Sequence, residues 1–211
     1  MRHLPIFMTL LALPALHAAE LGEETMSVAF DSSEIDMRKD EHRFSGNVRI
    51  SQGAMFIASD EATAIGASRG DQSQWTFERN VRVQTDEVAL RANTAVATVA
   101  NGGITKAMVK GSPASFEQRN ASADKRVHGR AGEIEYDIVR GVVRMTNDVW
   151  FTYGQNEFRG PVVVYFVDEE RVVVNPGGKD QGRVNITVRP QSLESTQDAV
   201  PAPAPDDENA R

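Results

Sequence analysis

Two histidines, His42 and His128, are the only imidazoles after residue 17, and they stand 86 residues apart in a chain without cysteine. A zinc site of nitrogen and sulfur ligands is therefore not expected. A thiol nucleophile, a disulfide scaffold and a lipid anchor through cysteine are excluded outright. A serine nucleophile would need a strained presenting turn, yet no Gly-x-Ser-x-Gly occurs, and His128 alternates as a strand residue in Arg126-Val127-His128-Gly129. The acids Asp31, Asp60, Asp71 and Asp168 sit at turn-like positions, where a carboxylate usually satisfies nearby backbone. Gly177-Gly178-Lys179 lacks the Ser/Thr and the spacing of a phosphate loop. The sequence argues against an enzyme and implies no cofactor and no metal. Eighteen arginines against five lysines invite a phosphate-binding reading, since the guanidinium fork suits phosphate. The plainer reading is solvated strand faces. A net charge of −7 and a pI near 5.2 exclude a general nucleic-acid binder.

The elements behind these residues are strands. Of eight leucines, five fall in the first sixteen residues, and only Leu90 lies between Gly22 and Pro190. All 23 valines lie beyond residue 27. Helices draw on leucine, whereas β-branched valine fits a pleated, half-buried surface. The body is all-β.

A repeat organises it. Ser-Gly-Asn-Val-Arg-Ile-Ser (45–51), Glu-Arg-Asn-Val-Arg-Val-Gln (78–84) and Thr-Asn-Asp-Val-Trp-Phe-Thr (146–152) centre on Val48, Val81 and Val149. Ala114 in Gly-Ser-Pro-Ala-Ser-Phe and Val184 in Gly-Arg-Val-Asn-Ile complete five nodes, 33 to 35 residues apart. Around each node apolar residues recur at every second position, the pattern of half-buried antiparallel strands. Phe44, Val48 and Ile50 share one face, as do Trp75, Phe77, Val81 and Val83, and again Val143, Met145, Val149 and Phe151. Arg49 and Arg82, at matching positions, fall on the solvent face. Turn signals at 38–41, 52–53, 70–71, 101–103 and 176–178 predict strands of five to eight residues in one long β-stack.

The ends differ from this body. Residues 1–18 carry Arg2, an apolar run of about 13 residues from Leu4 to Leu16, and the small pair Ala18-Ala19. That is the pattern of a cleaved secretory signal peptide, too short to span a bilayer. Residues 19–190 form the β body. Residues 191–211 hold three alternating prolines and five acids against one arginine, a composition expected to remain a disordered tail. The apolar face of the body is lean, with Ala54, Ala58, Ala62, Ala92 and Ala114 on it. From composition, a thin core and an interior groove filled by something else stand equal.

At several of these residues the chain resembles the LptA/OstA-like family of periplasmic lipopolysaccharide-transport proteins. The resemblance rests on Ile35-Asp36-Met37, Phe44-Ser45-Gly46-Asn47-Val48 and Ser51-Gln52-Gly53, then on Gly111-Ser112-Pro113-Ala114-Ser115-Phe116-Glu117-Gln118. It continues through Val127-His128-Gly129-Arg130-Ala131, Glu135-Tyr136, Thr146-Asn147, Gly160, Tyr165 and Val167, and ends on Arg183-Val184 and Pro190-Gln191-Ser192-Leu193. The stretch 66–99 looks like an additional repeat relative to shorter members. The resemblance implies an elongated open β-jellyroll of two antiparallel sheets enclosing a greasy channel. It implies a periplasmic carrier that takes up the lipid A acyl chains of lipopolysaccharide. Such a carrier stacks on itself and between LptC-like and LptD-like jellyrolls by strand addition, bridging the inner and outer membranes without spanning either. Lipid-facing family positions carry over onto Met26, Val28, Phe116, Tyr136 and Ile138. Alternation adds Phe44, Val48, Ile50, Phe77, Val81, Val83, Val149 and Phe151. Residues 25–30 would receive the upstream partner and residues 183–189 the downstream one. The alternatives are a secreted β-helical carbohydrate-active enzyme and a structural, adhesin-like repeat protein.

Overall fold

The computed structural model describes residues 25–68, 72–121, 125–178 and 182–188. The expected signal peptide (1–18), the tail (191–211), the turn at 70–71 and residue 189 of the downstream docking segment lie outside them. Among the described residues twelve strands follow in chain order: β1 (Ser27–Ala29), β2 (Ser32–Asp36), β3 (Glu41–Gln52), β4 (Met55–Ile65), β5 (Gln72–Gln84), β6 (Val88–Ala100), β7 (Gly103–Gln118), β8 (Val127–Asp137), β9 (Val142–Tyr153), β10 (Asn156–Phe166), β11 (Arg171–Val174) and β12 (Asn185–Thr187). From β3 to β10 each strand pairs antiparallel with the next. β1 and β2 both pair with β3, and β11 and β12 both with β10, so each end of the sheet carries one strand broken into two pieces. The path does not close into a barrel.

The long strands run 11 to 16 residues rather than the expected five to eight. The reason is a shared fold line. Register slips between Ser45 and Val48, Ala58 and Glu61, Glu78 and Val81, Arg91 and Thr94, Lys110 and Ala114, Arg130 and Glu133, and Gly160 and Val162. These bulges align across the sheet and divide every strand into two halves of the expected length. A bulge bends its strand without ending the ladder. One layer takes β1, the C-terminal halves of β3, β5, β7 and β9, the N-terminal halves of β4, β6, β8 and β10, and β12. The complementary halves, with β2 and β11, form the facing layer.

This explains the repeat. Each of the first four periods is one hairpin whose node residue, Val48, Val81, Ala114 or Val149, is the first inward residue after the fold line, whereas Val184, the fifth node, precedes β12 and is only half-buried. The turn itself needs the left-handed region, and Asn47, Asn80 and Asn147 supply it at φ of 48°, 52° and 68°. Asparagine tolerates that region because its short amide bonds locally. Asn47 Nδ2 donates to Asp31 Oδ2 at 2.9 Å and Asn80 Nδ2 to Asp60 Oδ2 at 2.8 Å. Asp31 and Asp60 thus pin the fold line, not the hairpin turns where the sequence pattern put them. Gly46, at φ 76°, has the Asp31 carboxyl where a Cβ would stand, so it combines a backbone and a steric demand for glycine.

Alternation on both sides of the fold line sends one face of each layer inward. Val48, Ile50, Ile57, Phe77, Val81, Val83, Leu90, Ala97, Val109, Phe116, Ile134, Met145, Phe151 and Tyr165 are all buried there. The interior is continuous from β3 to β10.

Candidate functional site: the interior between the layers

The inward side chains are unequal along the stack. Near β3 and β5, Phe44 stacks on Trp75 at 5.5 Å between ring centroids, with Phe30 4.9 Å from Phe44 and Phe77 6.4 Å from Trp75. At the other end, Phe116, Phe151, Phe158 and Tyr165 form a second aromatic group, with Phe151 5.5 Å from Tyr165 and 6.1 Å from Phe158. Between them, beside Leu90, Val109 and Ile134, the walls carry Ala95, Ala97, Ala107, Ala114 and Ala131, while Ala62 and Ala64 lie within the first aromatic group as register partners of Phe44 and Trp75. Phe116 and Phe151 belong to one layer and Tyr165 to the other, so their contacts span the interior.

Opposite the fold line, the two rows of hairpin turns meet along an edge stitched by hydrogen bonds. Gln52 donates to the Gly102 carbonyl at 3.0 Å and accepts from the Ile104 amide at 3.3 Å. Tyr136 bonds Thr85. Tyr165 donates to Gln118 Oε1 at 2.7 Å. Tyr153 and Lys125 both donate to Glu170 Oε2, at 2.8 and 3.2 Å. These last two bonds hold the Glu170 carboxyl below its ordinary range. The interior wall is apolar, while its seam is polar and built from side chains.

Burial pushes the Tyr165 phenol up to about 12, with the neighbouring Tyr153, Glu170 and Glu87 adding to it. The unfolded chain releases this proton near the ordinary value of about 10, so the folded state holds it longer. Stability contributed by this phenol is full below pH 10 and is expected to fall as pH rises toward about 12. Tyr165→Phe should flatten that alkaline slope in urea titrations and cost about 0.5–1.5 kcal/mol at neutral pH through the lost bond to Gln118. An unchanged slope would place the titration elsewhere.

Of the residues expected to face lipid, Phe44, Val48, Ile50, Phe77, Val81, Val83, Phe116, Tyr136, Val149 and Phe151 are brought together in this interior, each at most 8% exposed. Met26, Val28 and Ile138 pack against its margin, partly buried. Alternation marks the odd-numbered strands, where the repeat is clear, and of the even-numbered strands only β8 enters the expectation, through Tyr136. Ile57, Leu90, Ile134 and Tyr165 are as deeply buried. For Tyr165 the signal lies in the Val163, Tyr165, Val167 alternation, but no node motif marks it.

The imidazoles stand apart from the interior's chemistry. His42 Nε2 lies 3.1 Å from Ser68 Oγ and 3.9 Å from Asp40 Oδ1. A catalytic relay needs the hydroxyl and the carboxylate on opposite ring nitrogens. Here both approach the same one. On the outer face, His128 meets Thr152 Oγ1 at 3.0 Å and lies 5.1 Å from the Trp150 ring, and burial lowers its pKa.

A family model described as LptA/(LptD N-terminal domain) LPS transport protein matches residues 27–74 and 66–171. The two matches overlap where β4 turns into β5, at the start of the hairpin read above as an additional repeat. The lipopolysaccharide export system protein LptA of Haemophilus influenzae is 21% identical over 195 residues, covering 91% of this chain and 94% of its own length. That of Escherichia coli K12 is 26% identical over 132 residues, covering 61% of this chain and 69% of its own. Among solved structures, LptH, the LptA-homologous periplasmic component of the lipopolysaccharide transport device of Pseudomonas aeruginosa, aligns at 18% identity with a TM-score of 0.41. That alignment covers 80% of this chain and 98% of LptH.

Proposed function

The chain belongs to the LptA/(LptD N-terminal domain) family of LPS transport proteins, and on that premise we propose that it carries lipopolysaccharide through the periplasm with the acyl chains held between its two layers. The observation that carries this reading is the interior itself: one apolar face, continuous from β3 to β10 and bounded by a polar seam. Burying an acyl chain there is worth about 0.8 kcal/mol per CH₂. The saccharide and its phosphates stay in water beyond the seam. Since the inward side chains already fill the space, entry requires the layers to part, and the seam of side-chain bonds is the weakest line along which they can do so. The alanine-rich middle offers room once they part; the aromatic groups at either end offer rings for acyl chains to pack on.

The same reading gives the broken end strands a role. β1 and β2 leave one edge of the stack open and β11 and β12 the other. An unpaired edge is an aggregation liability unless used, and strand addition would use it. Residues 25–30 would receive an LptC-like jellyroll or another copy of this chain, and the β12 segment an LptD-like one. Export by a cleaved signal peptide at residues 1–18 belongs to this proposal.

A photo-crosslinking amino acid at Phe116 or Tyr136 is expected to capture lipopolysaccharide, while the same group at the outward Arg144 is not. Capture at Arg144 alone would overturn the interior as the lipid site.

A further inference from the structure

The outer surface of the β1/β12 layer carries a row that the groove does not use. Arg49, Arg82, Arg91, Arg130, Trp150 and Arg159 lie on one cross-strand line, in register through Ala58 and Ser115. All five arginines are exposed and Trp150 is half-buried. Strands lie about 4.8 Å apart, so successive arginines stand about 5 or 10 Å from one another over a stripe of about 34 Å. Arg82 and Arg91 are direct partners, an arrangement that like charges disfavour.

Several charges elsewhere on the surface are paired. On the facing layer, Lys106 pairs with Glu135 at 2.9 Å and Lys110 with Glu133 at 3.0 Å. In the stripe, only Arg159 has such a partner among the described residues, Glu157 at 2.6 Å. Arg49 lies 3.6 Å over the Phe56 ring and bonds Ser51 Oγ, and Arg130 lies 4.6 Å over Trp150. Among the described residues, no carboxylate pairs with Arg82, Arg91 or Arg130. Depressions flank Trp150 on both sides, one bordered by Asn147, Arg159 and Arg183, the other by His128, Thr152 and Glu157.

We propose that this row binds a linear acidic polysaccharide lying across the strands, its carboxylates on the arginines and a sugar ring against Trp150. Guanidinium forks take carboxylates two bonds at a time. An anion between Arg82 and Arg91 would turn their repulsion into a shared contact. The indole with polar groups on either side is a platform for a pyranose ring. The shape selects a chain over a membrane plane: the next outward row brings Glu117 and Glu157 beside the stripe. The row also lies next to the fold line, away from the seam, so it is separate from the lipid interior.

The test titrates the full chain with polygalacturonate, and with dextran as the uncharged control, following tryptophan fluorescence. Saturable binding of polygalacturonate that weakens with added salt, and none of dextran, is expected. Arg82→Gln with Arg91→Gln should weaken it at least about tenfold, and Trp150→Phe should abolish the fluorescence change. Arg144→Gln on the facing layer should change nothing. The variants are exposed or half-buried and should keep the parent melting temperature. Undiminished binding by the arginine double variant, or equal binding of dextran, would overturn the proposal. Preference for phosphatidylglycerol vesicles would overturn it in favour of a membrane surface. A tenfold gain on removing residues 191–211 would do so in favour of the chain's own acidic segment.

Discussion

Phe151→Ala is expected to lower the free energy of unfolding by about 3–5 kcal/mol, the range for deleting a fully buried aromatic ring. Phe151 is 0% exposed and touches Phe116 and Phe158 in its own layer and Tyr165 in the facing one. It is also the register partner of Gly129, where an added Cβ would lie 3.2 Å from the Phe151 ring and 2.8 Å from Met145 Sδ. Glycine therefore makes the floor on which the ring rests, and a backbone floor cannot rise to fill the space that alanine would leave. The loss should sit at the upper part of the range for that reason. Phe56→Ala removes a ring of the same size from the outer face, half-buried beneath Arg49, and should cost less than about 2 kcal/mol. Urea unfolding of the two variants gives the comparison. If both fall by the same small amount, the interior is not close-packed at β9. The variant bears on function too, because the same space widens the groove where an acyl chain would lie. Lipid capture should survive in folded Phe151→Ala protein.

The contrast between Phe151 and Phe56 was only partly legible in the sequence. Phe151 follows a node valine by two positions, and period-2 alternation sends it inward. The node valines are legible for a physical reason: a fold line needs left-handed backbone, asparagine supplies it, and the next residue must be inward and β-competent. Asn-Val is the imprint of that sequence of demands at Val48 and Val81, and Asp-Val at Val149. Even-numbered strands turn the same corner without paired left-handed residues, so Ile57, Leu90 and Ile134 carry no such imprint. Strand length was misjudged because a bulge changes direction while the hydrogen-bond ladder continues. Neither the seam nor the arginine row could be read from spacing. Tyr165 meets Gln118 across 47 residues. Arg91, Arg130 and Arg159 fall into line with Arg49 and Arg82 only through register, which each bulge resets.

The seam gives the second large effect. Lys125 and Glu170 stand on opposite layers at the open edge, joined at 3.2 Å, and the natural chain has no cysteine to interfere with labelling. In a Lys125→Cys, Glu170→Cys protein, a short cleavable bismaleimide should staple the layers together. Capture of lipopolysaccharide by a photo-crosslinker at Phe116 is expected to drop at least about tenfold in the stapled protein, equivalent to 1.4 kcal/mol or more against occupancy. Cleaving the linker should restore it, and either single-cysteine protein given the same reagent should capture normally. Side-chain bonds at the seam contribute about 1 kcal/mol each net of water and can be exchanged for solvent as the layers part. The fold line opposite is covalent backbone under a continuous ladder and cannot open without breaking strands. A staple converts this exchangeable boundary into a fixed one. Undiminished capture with the staple in place would mean that acyl chains enter instead through the ends of the stack, past β1 or β12, and the seam would then serve closure alone.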